Sequence, residues 1–148
     1  MAYEKINPHN YTEDELKELW REEYCRKVIY THDGLRVKFY DGHFNHAFYE
    51  SARRKQSKNK KKKKTMLSYA RLENMMWIKD VLGDETADLY VGYDSDTKSY
   101  DQSKRVSVIK GDYTVVIQLQ NDTEAVFITA FVADTSIGKI VSSPRWTK

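Results

Sequence analysis

The sequence predicts an α+β fold, with N-terminal helices packed on a C-terminal four-stranded antiparallel meander sheet. Two observations carry this. Up to residue 82 the apolar residues recur mostly at helical spacing, behind clear start and stop signals. Beyond that point the chain turns to segments rich in Val, Ile, Tyr, Phe and Thr, separated by short polar turns. Helices first and strands afterwards imply segregated layers rather than alternating βαβ units.

The elements follow in chain order. Thr12-Glu13-Asp14-Glu15 is a capping box, and it opens a helix over 12–27 with Leu16, Leu19, Trp20 and Tyr24 on one face. Thr31-His32-Asp33-Gly34 is a turn. Leu35, Val37 and Phe39 then alternate with Arg36, Lys38 and Tyr40 as a first strand, which Asp41-Gly42 breaks. Residues 43–51 read as a short helix with Phe44, Ala47 and Phe48 on one side. Residues 53–64 have no apolar side chain to bury and read as a solvated basic loop. A helix is expected over 66–82, with Trp77 in the core and Gly83 as its stop. Strands are expected over 87–93, 105–110, 113–120 and 124–134, joined by hairpin connections at Gly111-Asp112 and 121–123, so the sheet spans 87–134. The two prolines, Pro8 and Pro144, fall outside every element. Residues 1–148 are expected to form one domain.

Charge is distributed unevenly. The 148 residues carry 25 basic and 22 acidic side chains, a net +3. Nine of the basic ones (Arg53, Arg54, Lys55, Lys58, Lys60, Lys61, Lys62, Lys63 and Lys64) lie in one tract without an acid. Elsewhere the acids outnumber the bases, so this is an acidic domain carrying a basic segment. Such a run is most simply a solvated loop, or a nuclear import signal in a eukaryote. Its functional reading is an arm that grips phosphates, which makes RNA the expected partner. No apolar run approaches the roughly 20 residues of a membrane helix, and no apolar leader opens the chain. The single cysteine, Cys25, suits a reducing cytosol, so a cytoplasmic location is expected.

Chemistry-bearing motifs are few. There is no Gly-rich phosphate loop, no Cys-x-x-Cys and no His-Glu-x-x-His, and no metal or other cofactor is expected. Cys25 lies among acids (Glu22, Glu23), the wrong field for a thiolate nucleophile. The densest polar cluster is Asp41-Gly42-His43-Phe44-Asn45-His46. Its two histidines, three apart, share one side of a helical turn. Three readings stand: His43 caps the helix while His46 packs or faces water, the pair holds a metal, or the pair does acid–base work. Lys110, Tyr113 and Thr129 could project polar groups from strands, though lone polar residues there usually mark a solvent face. Arg71 could simply pair with Glu73 or Glu50. Trp77 and Trp146 read as core and lid residues rather than base-stacking platforms.

Taken in order, these features resemble the barnase–EndoU–colicin–RelE group of ribonucleases, in particular its phage-associated branch. The resemblance spans roughly residues 35–146. It rests on Phe39-Tyr40-Asp41, His43 to Tyr49, Arg71 with Met76-Trp77-Ile78, Gly111 to Val116, Phe127 to Phe131, and Pro144-Arg145-Trp146. It implies RNA lying across the sheet and metal-independent cleavage, in which the ribose 2′-OH attacks the adjacent phosphate. Carried onto this chain, His43 or His46 would be base or acid, Arg71 or Lys110 would steady the charge, and Thr129 would bond the phosphate. An antitoxin or immunity protein is the partner class such a toxin-like nuclease suggests. The late strands lack the carboxylate or histidine that some members keep. The alternatives are a non-catalytic nucleic-acid-binding module and a protein-interaction factor.

Overall fold

The Thr12 hydroxyl accepts from the Glu15 amide (3.1 Å), and the Glu15 carboxylate accepts from the Thr12 amide (2.8 Å). The capping box read from the sequence therefore starts the first helix. A computed structural model describes residues 4–51, 64–91, 93–94, 99–100, 105–133 and 145–146. After a 3-10 turn at Pro8–Asn10, helix α1 (Glu13–Trp20) runs into a π-helical turn (Arg21–Cys25), so the helical run stops short of residue 27. Strands β1 (Ile29–Tyr30) and β2 (Arg36–Lys38) follow, then α2 (His43–Phe48), β3 (Tyr49–Ser51), β4 (Lys64–Leu67), α3 (Tyr69–Leu72) and α4 (Trp77–Gly83). The remaining strands are β5 (Asp88–Val91), β6 (Tyr93–Asp94), β7 (Ser99–Tyr100), β8 (Arg105–Lys110), β9 (Tyr113–Leu119) and β10 (Glu124–Val132).

The α+β class is correct, but the sheet is not a four-stranded meander. It has six strands in the order β1-β2-β10-β9-β8-β5. The meander forms its centre, where β8, β9 and β10 pair antiparallel through the turn at Gly111 (φ +63°) and the polar turn before Glu124. The early strand β2 then adds to β10 in parallel, with Arg36, Val37 and Lys38 opposite Glu124, Ala125 and Val126. Strand β1 pairs antiparallel on the outside of β2. The sheet is therefore mixed.

Further expectations change. Residues 49–51, read as the end of a short helix, form strand β3. Met66 and Leu67 belong to a strand, not a helix, because β4 pairs antiparallel with β3 in a separate two-stranded sheet. The expected helix over 66–82 is broken in two. Ser68 caps α3 by accepting from the Arg71 amide (3.4 Å), and a turn over 73–76 separates it from α4. Of the basic tract, Arg53, Arg54, Lys55, Lys58, Lys60, Lys61, Lys62 and Lys63 lie outside the described residues. Lys64 opens β4 and so belongs to a strand rather than to the loop.

One face of the sheet takes all the helices. Val37, Ala125, Phe127, Ile117, Val115, Val106 and Val108 meet Leu16, Trp20, Phe44, Phe48, Ile78, Val81 and Leu82 in one buried cluster. Its centre is aromatic: the Trp20 ring lies within 5.5 Å of Tyr24, Phe39, Phe48 and Phe127. Burying side chains of this size contributes roughly 1.5–3 kcal/mol each. Trp146 is buried, whereas Trp77 sits half-buried at the cluster's margin against Tyr113 (5.3 Å) with Lys5 over its ring. No helix of the described residues is long and apolar enough to cross a membrane.

Candidate nucleic-acid interface

Helix α2 begins with a reciprocal pair. The His43 amide donates to the Tyr40 carbonyl (3.0 Å), and the Tyr40 amide donates to His43 Nδ1 (3.0 Å). Gly42, the residue before the helix, has no capping side chain, and the His43 ring instead ties the first turn back to Tyr40 ahead of the helix. Its ring stands edge-on against Phe127 at 5.6 Å, half-buried. Burial, together with the charge of His46, lowers the His43 pKa. A neutral imidazole that accepts at Nδ1 carries its hydrogen on Nε2. His43 can therefore donate from Nε2, but its lone pair is already engaged. That suits a structural tie and opposes a general base. His46, one turn on, is exposed.

Arg71 approaches the same helix from α3, where its guanidinium donates to the Ala47 carbonyl (3.3 Å). The Glu73 carboxylate lies beside Lys5 (3.8 Å), and the side chain of Glu50, the other partner the sequence offered, lies outside the described residues. Strand β3 leaves the end of α2 directly. The Tyr49 hydroxyl bonds the Glu13 carboxylate, and Lys17 lies over the rings of Phe44 and Tyr49. Ser51, two residues before the basic tract, pairs with Lys64, the last residue of it.

The other two candidates lie elsewhere. Lys110 ends β8 on the helix side of the sheet, where its ammonium bonds Thr86 and sits 3.7 Å from the Asp84 carboxylate. Thr129 follows an irregularity in β10 and pairs with Val116, whose neighbours Val115 and Ile117 face the helices. Because side chains alternate across a strand, Thr129 projects from the opposite face. The structure thus gathers His43, His46 and Arg71 around α2 and separates Lys110 and Thr129 from them. Burial and the neighbouring Asp41 push the Cys25 thiol up to about 11, which keeps it protonated. Among the described residues, no group of three or more His, Cys, Asp or Glu side chains is placed to hold a metal ion. A cleft of about 400 Å³ lined by Ile6, Tyr11, Leu19, Met76, Lys79 and Asp80 contains none of the five candidates.

The face away from the helices carries a pattern that catalytic residue types do not reveal. Arg105 pairs with Gln118, Gln118 with Val126, and Val126 with Lys38, so these four form one row across four strands. The adjoining row is Tyr30, Arg36 and Glu124. Glu124 is paired with Lys38 (3.3 Å), and Asp88 on the same face with Arg145 (3.1 Å). Among the described residues Arg36 and Arg105 form no ion pair. The alternation of Arg36 and Lys38 with Leu35 and Val37 was the available sequence signal, but only the register joins them to Arg105. Comparison of the chain with protein-family models, curated proteins and solved structures found no match.

Proposed function

We propose that the protein is an RNA-binding domain that grips phosphates with a basic sheet face and with the basic tract, without cutting the strand. One observation carries this reading: the cross-strand alignment of the half-buried Lys38, Val126, Gln118 and Arg105, with exposed Arg36 beside it, on the face away from the helices and beyond the buried Ser107, Ile109 and Thr114. Such a face offers cations and amide groups at sheet spacing to an extended polyanion. The tract adds nine charges, the last of them on Lys64 in β4. Catalysis draws no comparable support. The lone pair of His43 is engaged by the Tyr40 amide, which leaves His46 of the two histidines to act as base, while Lys110 and Thr129 sit apart from both.

The test is fluorescence anisotropy with a labelled single-stranded RNA across a salt series. Binding should weaken as salt rises. Each phosphate that a cation neutralises adds roughly 0.7 to the salt slope for a single strand, so the triple variant Arg36→Gln, Lys38→Gln, Arg105→Gln should lower that slope by about two units. An unchanged slope would remove the sheet face from the reading, and absence of binding at low salt would remove RNA altogether. Incubation of the same RNA with EDTA present separates the chemistries. EDTA-resistant cleavage would restore the ribonuclease reading, starting from His46 and Arg71.

A further inference from the structure

We propose that Tyr30 is the position at which this protein stacks an unpaired base, an inference that rests on the RNA-binding reading above. Along β1 the exposure alternates sharply: Ile29 is 8% exposed and belongs to the core, while Tyr30 is 54% exposed. The Tyr30 ring therefore stands on the face away from the helices. Directly across the β1–β2 ladder is Arg36, also exposed, and Arg36 in turn faces Glu124, which Lys38 neutralises. An aromatic surface thus lies one strand from an arginine without an ion-pair partner among the described residues.

Other exposed aromatics are differently placed. Tyr69 already stacks on His9, with ring centroids 4.3 Å apart, and Tyr40 lies beside His43 at 5.5 Å. The Tyr30 ring meets no aromatic ring among the described residues, and it lies in line with the cationic rows of the sheet. The occupant that fits both groups is single-stranded nucleic acid. Its base presents a π-face to the ring, and its phosphate lies within reach of the guanidinium of Arg36. A duplex fits poorly, because its base faces are already stacked inside the helix. Every base has a π-face, so the contact is tolerant of sequence.

The experiment uses the full chain and a mixed-sequence RNA 10-mer carrying one 2-aminopurine. Wild type should bind and quench the 2-aminopurine. Tyr30→Ala should bind about 5- to 150-fold more weakly, corresponding to the roughly 1–3 kcal/mol of one stacked base, with no quenching and an unchanged salt slope. Tyr30→Phe should keep both affinity and quenching. All three proteins should melt at the same temperature, since the ring is largely outside the core. Failure of wild type to bind would overturn the RNA-binding reading, and this one with it. Binding by wild type that Tyr30→Ala matches in strength and quenching would overturn the stacking role alone. Loss of binding in Tyr30→Phe would overturn it too, because a hydroxyl contact and not the ring would then carry the interaction.

Discussion

The buried Tyr24 hydroxyl donates to the Met75 carbonyl at 2.5 Å and accepts from the Lys79 amide at 3.2 Å. Met75 lies in the turn that breaks α3 from α4, so one phenol from the π-helical turn fixes the point at which the expected long helix divides. Tyr113 contributes a second buried phenol to that turn, donating to the Asn74 carbonyl (3.3 Å). Burial holds the Tyr24 hydroxyl protonated far above the usual range, which keeps it a donor at any physiological pH.

Tyr24→Phe should therefore destabilise the fold by about 1–3 kcal/mol, because a buried carbonyl and a backbone amide both lose their partner while the ring is kept. Urea unfolding followed by far-UV circular dichroism would measure it. A midpoint equal to that of wild type would mean the two backbone groups find other partners.

Phe127→Ala should cost about 3–5 kcal/mol, since its ring joins Trp20, Phe39 and His43 at the middle of the sheet. Trp77→Ala should cost less, because Trp77 is half-buried at the margin. Thermal melts of the two variants side by side would check the order, and the reverse order would misplace the centre of the core.

His43 gives the fold a pH dependence of known sign. Its folded pKa is lowered, so above the ordinary imidazole value of about 6.5 the ring is neutral whether folded or not, and its bond to the Tyr40 amide contributes in full. As pH falls below that value the unfolded chain takes up the proton first, and the contribution is lost as pH passes through the folded pKa. His43→Asn keeps an acceptor for the Tyr40 amide but does not titrate there. The stability of wild type relative to this variant should stay level from about pH 7.5 to about pH 6.5 and decline as the pH falls from there toward about 5. Parallel stability curves over that interval would count against the bond.

Replacing Lys60 to Lys64 with Gln should weaken RNA binding about equally for all sequences and flatten its salt dependence. Stability should barely move, as the sequence predicts a solvated run and solvated charges contribute little. Lys64 alone among them belongs to a strand, so a drop in melting temperature that Lys64→Gln reproduces by itself would assign a structural role to that residue.

What could be read from the sequence was what local chemistry decides. The strand Arg105–Lys110, the hairpin through Gly111 and the cap at Thr12 depend on neighbours in the chain, and each falls where its residues place it. Met66 and Leu67 were ambiguous because two apolar residues at the start of a helical pattern fit a strand equally well. Pairing with Tyr49 and Glu50, across the tract, decides between them. The parallel partner of β10 could not be read locally at all, since nothing near Arg36 encodes Glu124. Residue type chose His43, His46, Arg71, Lys110 and Thr129; register and face, which no local pattern encodes, leave Lys110 and Thr129 apart from the other three.

The pairing of β2 with β10 joins segments about 90 residues apart in the chain, the kind of long-range closure that slows folding. During synthesis, residues up to Lys38 have no central sheet to join until Glu124 to Val126 have left the ribosome. Through that interval Trp20 lacks one of its four aromatic neighbours, because Phe127 has still to be made. Apolar surface left open in this way favours aggregation. Truncation before residue 124 would fix it in that aggregation-prone state.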